Sequence, residues 1–264
     1  MARRPTPDCL IFDVDGVLLD VSRSFPEVIR LCVFEGWEKF CGGVSDSGGY
    51  TAEYERLLKR HGGFNDDYDI AWVLLSISEA SGAKKLSEAF PSFEKLEREI
   101  STFAAGDVRE WAAERYGSSV PRLAAREFCD ALYAGTKERR GLHLLETPLL
   151  TINWKEIPLP VGIYSGRDTR EWGMGKEALG WTDFPDERVI LSDTGITKPS
   201  PKGLEILCDR MGAKAPCFFG DTASDLLAYS AFGKGSFAAI GGLLPEAEHI
   251  YPDTDAAVKD ILKI

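Results

Sequence analysis

The stretch Cys9-Leu10-Ile11-Phe12-Asp13-Val14-Asp15-Gly16 decides the fold of this chain. Its first four residues are apolar and include strand formers, which predicts a short strand buried on both faces. Two acids follow directly, and the glycine after them permits a tight turn. Asp13 and Asp15 therefore either shape this turn or belong to a functional site, and the rest of the chain has to decide between the two.

Beyond residue 146 the sequence alternates between two kinds of pattern. Strands are predicted at 161–164, 188–191, 217–219 and 237–240, and helices at 168–179, 201–211, 222–232 and 255–262. Such alternation with short connections is typical of a parallel sheet covered by helices on both faces. We therefore predict one α/β domain, formed by residues 1–20 and 146–264.

Residues 21–145 have a different character. They show helical periodicity and no convincing strand alternation, and the predicted helices cover 25–40, 51–60, 66–78, 93–103, 107–116 and 121–139. We predict that this segment is an all-helical domain inserted after the first strand of the α/β domain.

Polar side chains follow the predicted strands, where ligands bind in open parallel sheets. Four carboxylates cannot converge there unpaired, because their mutual repulsion would protonate some of them. The chain has only three histidines and no C-x-x-C pair, so no zinc signature is present. The ligands at the strand ends would all be oxygens, and such a set favours Mg²⁺ over zinc. The residues at these strand ends are Asp13, Asp15, Ser165, Lys198, Asp221 and Asp225.

Four segments resemble, in order and in position, motifs I to IV of the haloacid dehalogenase superfamily. They are Asp13-Val14-Asp15-Gly16-Val17, Ser165, Lys198-Pro199 and Gly220-Asp221-Thr222-Ala223-Ser224-Asp225. The resemblance implies a Rossmannoid parallel sheet with helices on both faces. By position and composition, the helical insert resembles the C1 cap of the phosphoglycolate-phosphatase-like branch of subfamily I.

The resemblance also implies a role for each motif residue. Asp13 would be the nucleophile that forms an aspartyl-phosphate, and Asp15 the general acid and base. Ser165 would bind the phosphoryl group, and Lys198 would neutralise it. The implied Mg²⁺ ligands are Asp13, Asp15 through its carbonyl oxygen, Asp221 and Asp225.

The implied activity is Mg²⁺-dependent hydrolysis of a small phosphorylated metabolite. An acid at position 15 favours phosphoryl transfer, since true dehalogenases of the superfamily have none two residues after the nucleophile. A phosphomutase, which shares the aspartyl-phosphate, is one alternative. The other is a non-catalytic protein that binds a phosphate ligand on the same fold.

The candidate substrate-binding residues are Val14, Gly166, Arg167, Arg23 and Asn65. Many members with a C1 cap have Asn directly after the motif II Ser or Thr, whereas this chain has Gly166-Arg167. Arg167 could offer its guanidinium fork to a phosphate or carboxylate, or have no role at all. The segment around Asn65 could reach the site, or could simply end one helix with glycine and begin the next with an Asp cap.

Length and composition bound the remaining expectations. The chain has 264 residues, a net charge of −11 and 44% hydrophobic residues. An acidic chain argues against nucleic acid and anionic membranes as partners, and no stretch approaches 18 apolar residues. Six cysteines among apolar neighbours and the lack of a signal peptide predict a cytoplasmic protein. A monomer and a homodimer both remain open.

Overall fold

The computed structural model describes residues 5–46, 48–61, 63–64, 66–103, 107–117 and 119–264. The chain divides into two compact units. One consists of Met1–Val21 and Glu146–Ile264, and the other of Ser22–Leu145. The sequence predicts domains at 1–20 with 146–264 and at 21–145. The two compact units differ from these ranges by one residue at the first junction. That these ranges are the limits of domains stays a prediction.

The helices and strands follow one another as two groups. The strands are β1 (Cys9–Phe12), β2 (Leu19–Asp20), β3 (Thr147–Pro148), β4 (Val161–Tyr164), β5 (Val189–Ile190), β6 (Pro216–Gly220), β7 (Ser236–Ile240) and β8 (His249–Tyr251). The helices are α1 (Phe25–Cys41), α2 (Ala52–Lys59), α3 (Asp67–Ala80), α4 (Phe93–Ile100), α5 (Val108–Tyr116), α6 (Arg122–Ala134), α7 (Thr169–Leu179), α8 (Lys202–Met211), α9 (Ala223–Phe232) and α10 (Thr254–Leu262). None of the described helices is long and apolar enough to cross a membrane.

The discontinuous unit is built on a six-stranded parallel sheet. Its strand order is β5-β4-β1-β6-β7-β8, with β1 in the interior. Phe12 pairs with Ile163 on one side and with Phe219 on the other. This register brings the carboxyl ends of β1, β4 and β6 to the same edge, so the residues after them emerge together.

Helices cover both faces of this sheet, as predicted. Leu10 and Phe12 pack on one face with residues of α7 and α10, including Trp172 and Val258. On the opposite face, Cys9 and Ile11 pack with residues of α8 and α9, including Leu204, Leu207 and Ala228. The apolar run of β1 is completely buried because it has a hydrophobic layer on each side.

The described residues of the second unit form helices and loops but no strands, apart from isolated bridges between Val44 and Lys85 and between Gly135 and Arg140. Helix α3 lies at its centre and packs against α1, α5 and α6. Nearly every residue from Tyr68 to Ser78 is buried, and α3 therefore has no polar face of its own. The inserted all-helical segment of the prediction is confirmed in this respect.

Some predicted elements have wrong bounds, and three strands of the structure were not predicted. The strand predicted at 188–191 is reduced to Val189–Ile190, because 186–188 form a 3₁₀ turn. Helix α6 ends at Ala134, not at residue 139, because Gly135 has a φ of +87° and stops it. Strands β2, β3 and β8 were not predicted. They are short, and pairing with another segment, distant in sequence for β2 and β3, is what makes them strands.

Candidate active site

The turn after β1 places Asp13 at the centre of the sheet edge. The Asp13 N–H donates to the carbonyl of Phe219 at 2.9 Å, which continues the pairing of β1 with β6. The residue is only 4% exposed. Val14 is fully buried, and its carbonyl accepts hydrogen bonds from the N–H groups of Leu18 and Leu19. The turn therefore presents the Asp13 carboxylate in a fixed position.

Lys198 holds two of the predicted carboxylates together. Its Nζ lies 2.8 Å from Asp13 Oδ1 and 2.7 Å from Asp225 Oδ1. Burial alone would lower the pKa of Lys198, but the two carboxylates hold it above its ordinary value. Burial raises the pKa of Asp13 to about 7, and the Lys198 ammonium, which favours the ionised form, limits that rise.

The loop that carries Lys198 is fastened to the sheet. Tyr164, the last residue of β4, donates its hydroxyl to the carbonyl of Ser200 at 2.8 Å. The Tyr164 ring lies against Gly203 in α8, where a Cβ atom would come within 2.5 Å of it. Tyr164 thus ties the segment that follows Lys198 to the end of β4.

Asp221 and Asp225 have different surroundings although both follow β6. Asp225 is fully buried, and its Oδ2 accepts hydrogen bonds from the Thr222 N–H at 3.1 Å and hydroxyl at 2.6 Å. Its Oδ1 faces Lys198. Neither Asp225 Oδ1 nor Asp221 Oδ1 has a hydrogen-bond partner among the described residues. Asp225 Oδ1 is compensated by its ion pair with the Lys198 ammonium, whereas no described cation forms an ion pair with Asp221.

The aspartates fit a divalent cation. Asp13, Asp221 and Asp225 each offer an oxygen, and these oxygens lie within 4.8 Å of one another. Burial, together with the Asp225 and Asp13 carboxylates, raises the pKa of Asp221 well above its usual range. A bound cation would supply the missing partner of Asp221 Oδ1 and reverse this effect. An all-oxygen donor set suits Mg²⁺.

Gly16 makes room for the Asp221 carboxylate. A Cβ atom at position 16 would overlap Asp221 Oδ2. Gly16 also has a φ of +73°, in the left-handed region that favours glycine. The glycine of the first motif is therefore required both by its own backbone and by a carboxylate more than 200 residues away in the chain.

Ser165 and Gly166 follow β4 at the same edge. The Ser165 N–H donates to the carbonyl of Ile190, and its buried Oγ accepts a hydrogen bond from the Arg167 N–H at 3.2 Å. Gly166 is exposed, with open space where a side chain would be. Both residues lie where the sequence predicts phosphoryl contacts, and those contacts stay a prediction.

Arg167 is directed into the protein. It is 1% exposed, and its guanidinium donates to Asp15 Oδ1 and to Glu146 Oε2. Its predicted contact with substrate therefore gains no support from this geometry. Glu146 was not among the predicted site residues. No motif marks it, and its importance follows only from its position beside Arg167.

Helix α7 begins beside this cluster with a capping box. The Asp168 side chain accepts from the Glu171 N–H at 2.8 Å, and Glu171 Oε2 accepts from the Asp168 N–H at 3.0 Å. Burial raises the pKa of Glu171 to about 7. This arrangement fixes the start of the helix that follows the Ser165 loop.

The two remaining predicted residues are outside this unit. Arg23 is exposed in the helical unit, and Asn65 lies outside the described residues. Asp66 caps α3 by accepting from the N–H groups of Tyr68 and Asp69, which is the structural alternative left open for that segment. Contact of Arg23 or Asn65 with substrate stays a prediction.

A family comparison agrees with the arrangement of the four strand-end motifs. The model of the haloacid dehalogenase-like hydrolase family matches residues 7–233, which is most of the chain. The chain belongs to the haloacid dehalogenase-like hydrolase family. A comparison with curated proteins found no significant match.

Several solved structures share the fold of this chain. Phosphatase Tt82 from Thermococcus thioreducens is similar with a TM-score of 0.70 and 24% identity, over 96% of this chain and 98% of that one. A hydrolase from Pseudomonas syringae has a TM-score of 0.54 and 16% identity, over 97% and 99%. A candidate phosphoglycolate phosphatase from Lactobacillus plantarum has a TM-score of 0.53 and 15% identity, over 98% and 99%. The helical insert is consistent with a C1 cap.

Proposed function

We propose that this protein is a Mg²⁺-dependent phosphomonoester hydrolase that acts on a small phosphorylated metabolite. The observation that carries the proposal is the environment of Asp13. This buried carboxylate lies 2.8 Å from the Lys198 ammonium, and one of its oxygens lies within 4.8 Å of a carboxylate oxygen of Asp221. A nucleophilic carboxylate needs such partners to approach an anionic phosphate.

In the first step, an oxygen of Asp13 attacks phosphorus and forms a new P–O bond. The bond between phosphorus and the ester oxygen breaks, and protonated Asp15 donates its proton to the leaving alkoxide. The products of this step are the free alcohol and an aspartyl-phosphate on Asp13. Asp15 is left as a carboxylate.

In the second step, the Asp15 carboxylate takes a proton from water while the water oxygen attacks phosphorus. The bond between phosphorus and Asp13 breaks. Inorganic phosphate leaves, Asp13 is again a carboxylate, and Asp15 is again protonated. The two acids of the first motif thus complete a cycle without any other proton carrier.

The charge on the transferred group needs several partners. In this proposal Lys198 neutralises phosphoryl oxygens, and the Ser165 hydroxyl and the Gly166 N–H donate hydrogen bonds to them. Asp13, Asp221, Asp225 and the carbonyl of Asp15 would hold Mg²⁺. When bound, the ion supplies positive charge that lets an anionic nucleophile meet an anionic ester.

The helical unit favours a small substrate. It resembles a C1 cap, and a cap that closes over a site admits metabolites more readily than proteins or nucleic acids. The net charge of −11 also disfavours nucleic acid. The substrate is thus expected to be a small phosphorylated metabolite.

The test is phosphate release from a panel of small phosphomonoesters with Mg²⁺, beside EDTA and Asp13→Asn controls. Release that disappears in both controls supports the proposal and ranks the substrates. No release by the folded, Mg²⁺-bound protein contradicts it. Conversion of a sugar phosphate into an isomer without phosphate release would favour a phosphomutase, and ligand binding without any turnover a binding protein.

A further inference from the structure

Arg167 connects the predicted general acid and base to the point where the chain returns from the helical unit. Its Nε and Nη2 lie 2.8 Å and 2.6 Å from Asp15 Oδ1. Nη2 also donates to Glu146 Oε2 at 2.9 Å, and Nη1 to the carbonyl of Glu171 at 3.2 Å. The Arg167 and Glu146 side chains are 0% and 1% exposed, so this network is built into the protein.

The two oxygens of Asp15 are not equivalent. Oδ1 accepts both guanidinium hydrogen bonds, whereas the described residues supply no hydrogen-bond donor to Oδ2. The Asp15 side chain is 31% exposed although Arg167 is buried. One oxygen therefore anchors the carboxylate, and the other is available to solvent and substrate.

We propose that Arg167 is a positioning residue, which holds Asp15 so that Oδ2 is the oxygen that gives and receives the proton. This inference rests on the proposed function of Asp15. Two N–H groups directed at Oδ1 leave no favourable place there for a proton, so protonated Asp15 carries it on Oδ2. The proton passes from Oδ2 to the leaving alkoxide, and a water proton later returns to Oδ2.

The guanidinium suits this task because it has donors only and stays charged, so it cannot take the proton from Asp15. Its planar fork also fixes direction, which a lysine ammonium does not. Glu146 balances its charge in the buried network. Gly175 leaves it space, since a Cβ atom there would lie 3.0 Å from Nη1.

The test compares two esters that differ in their need for a general acid. One is the alkyl phosphate that the panel ranks first, whose alkoxide must be protonated as it leaves. The other is 4-nitrophenyl phosphate, whose leaving group needs little protonation. The measured quantity is kcat/KM, which covers the steps up to loss of the alcohol and excludes hydrolysis of the aspartyl-phosphate.

Arg167→Gln removes the fork. Because it leaves Glu146 buried without its charged partner, a second variant is included. The double variant Arg167→Gln with Glu146→Gln removes one charge of each sign and so leaves the net charge of the network unchanged, and it is used if the single variant does not fold. Arg210→Gln is the matched control, since Arg210 is exposed in the last turn of α8 and donates to the carbonyl of Glu187. Crystal structures of the wild type and of the Arg167 variant complete the set.

Loss of Arg167 is expected to lower kcat/KM by about 100-fold for the alkyl ester and by less than about 5-fold for 4-nitrophenyl phosphate. Equal losses on both esters, or none, would overturn the inference. If the wild type hydrolyses neither ester, the proposed function fails. The crystal structures then test separately whether Arg167 positions Asp15. An Asp15 carboxylate in the same place without Arg167 would refute positioning, and a displaced carboxylate would support it.

Discussion

Gly16 and Asp221 occupy adjoining space at the sheet edge, and any Cβ atom at position 16 would overlap Asp221 Oδ2. The first motif and the fourth are therefore coupled by shape as well as by charge. Because Gly16 has no side chain, the Asp221 carboxylate has room beside the turn after β1, and its other oxygen, Oδ1, is buried without a hydrogen-bond partner among the described residues.

Gly16→Ala is expected to weaken Mg²⁺ binding by about 10- to 100-fold, because the new methyl group displaces the Asp221 carboxylate. Gly180→Ala is the matched control. Gly180 has a φ of +68°, so it shares the backbone strain, but nothing lies within 4 Å of its Cβ position. Both variants should lose stability, and only Gly16→Ala should lose metal affinity in a calorimetric titration. Equal Mg²⁺ affinity in the two variants would contradict this account.

Asp221→Asn is expected to stabilise the metal-free protein by about 1–2 kcal/mol, because it removes a buried carboxylate that repels Asp225 and Asp13. Asp225→Asn should destabilise it, because Asp225 accepts from Thr222 and pairs with Lys198. The measurement is urea unfolding in EDTA. Added Mg²⁺ at about 100 times its Kd should stabilise the wild type by about 2.7 kcal/mol and leave Asp221→Asn unchanged. Destabilisation of metal-free Asp221→Asn would argue against the unsatisfied oxygen.

Lys198→Met is expected to cost about 3–5 kcal/mol of unfolding free energy in EDTA, because it leaves the buried Asp13 and Asp225 carboxylates without their cation. Lys202→Met, an exposed position at the start of α8, controls for the substitution itself and should change stability by less than about 0.5 kcal/mol. Urea denaturation followed by tryptophan fluorescence measures both. Similar unfolding midpoints for the two variants would show that Lys198 does not hold the carboxylates together.

Glu171→Gln is expected to stabilise the protein at pH 8 and not at pH 4.5. Burial raises the pKa of Glu171 to about 7, above its ordinary value of 4.5. The wild type therefore loses stability as pH rises from about 4.5 to about 7, because ionising Glu171 in the folded protein is opposed by burial and by Asp168 and Asp15, and the Asp168 N–H and Arg167 offset this only in part.

The expected gain from Glu171→Gln at pH 8 is about 1–2 kcal/mol, reduced from the full shift because the side chain is not completely buried. Thermal unfolding at the two pH values measures it. Glu177→Gln, an exposed position in the same helix, should show no gain at either pH. A gain at pH 4.5 that equals the gain at pH 8 would mean that ionisation is not its cause.

Local patterns were sufficient for the main elements of the fold. Strands β1 and β4 have the predicted bounds, because each is a short apolar run that stops at polar residues. The parallel sheet with helices on both faces and the helical insert are confirmed, and so is the family. Strands β2, β3 and β8 could not be predicted, since two or three residues carry no periodicity.

Some features of the candidate site could likewise be predicted from the sequence, and others could not. The sequence by itself determined that acids, a hydroxyl and a lysine follow the strands, because residue type and order along the chain are local properties. Only the tertiary structure decided that Arg167 is buried against Asp15 and Glu146, and that Asp225 pairs with Lys198 while Asp221 has no cationic partner among the described residues. Those differences depend on hydrogen bonds and space shared by segments far apart in sequence, which no local pattern records.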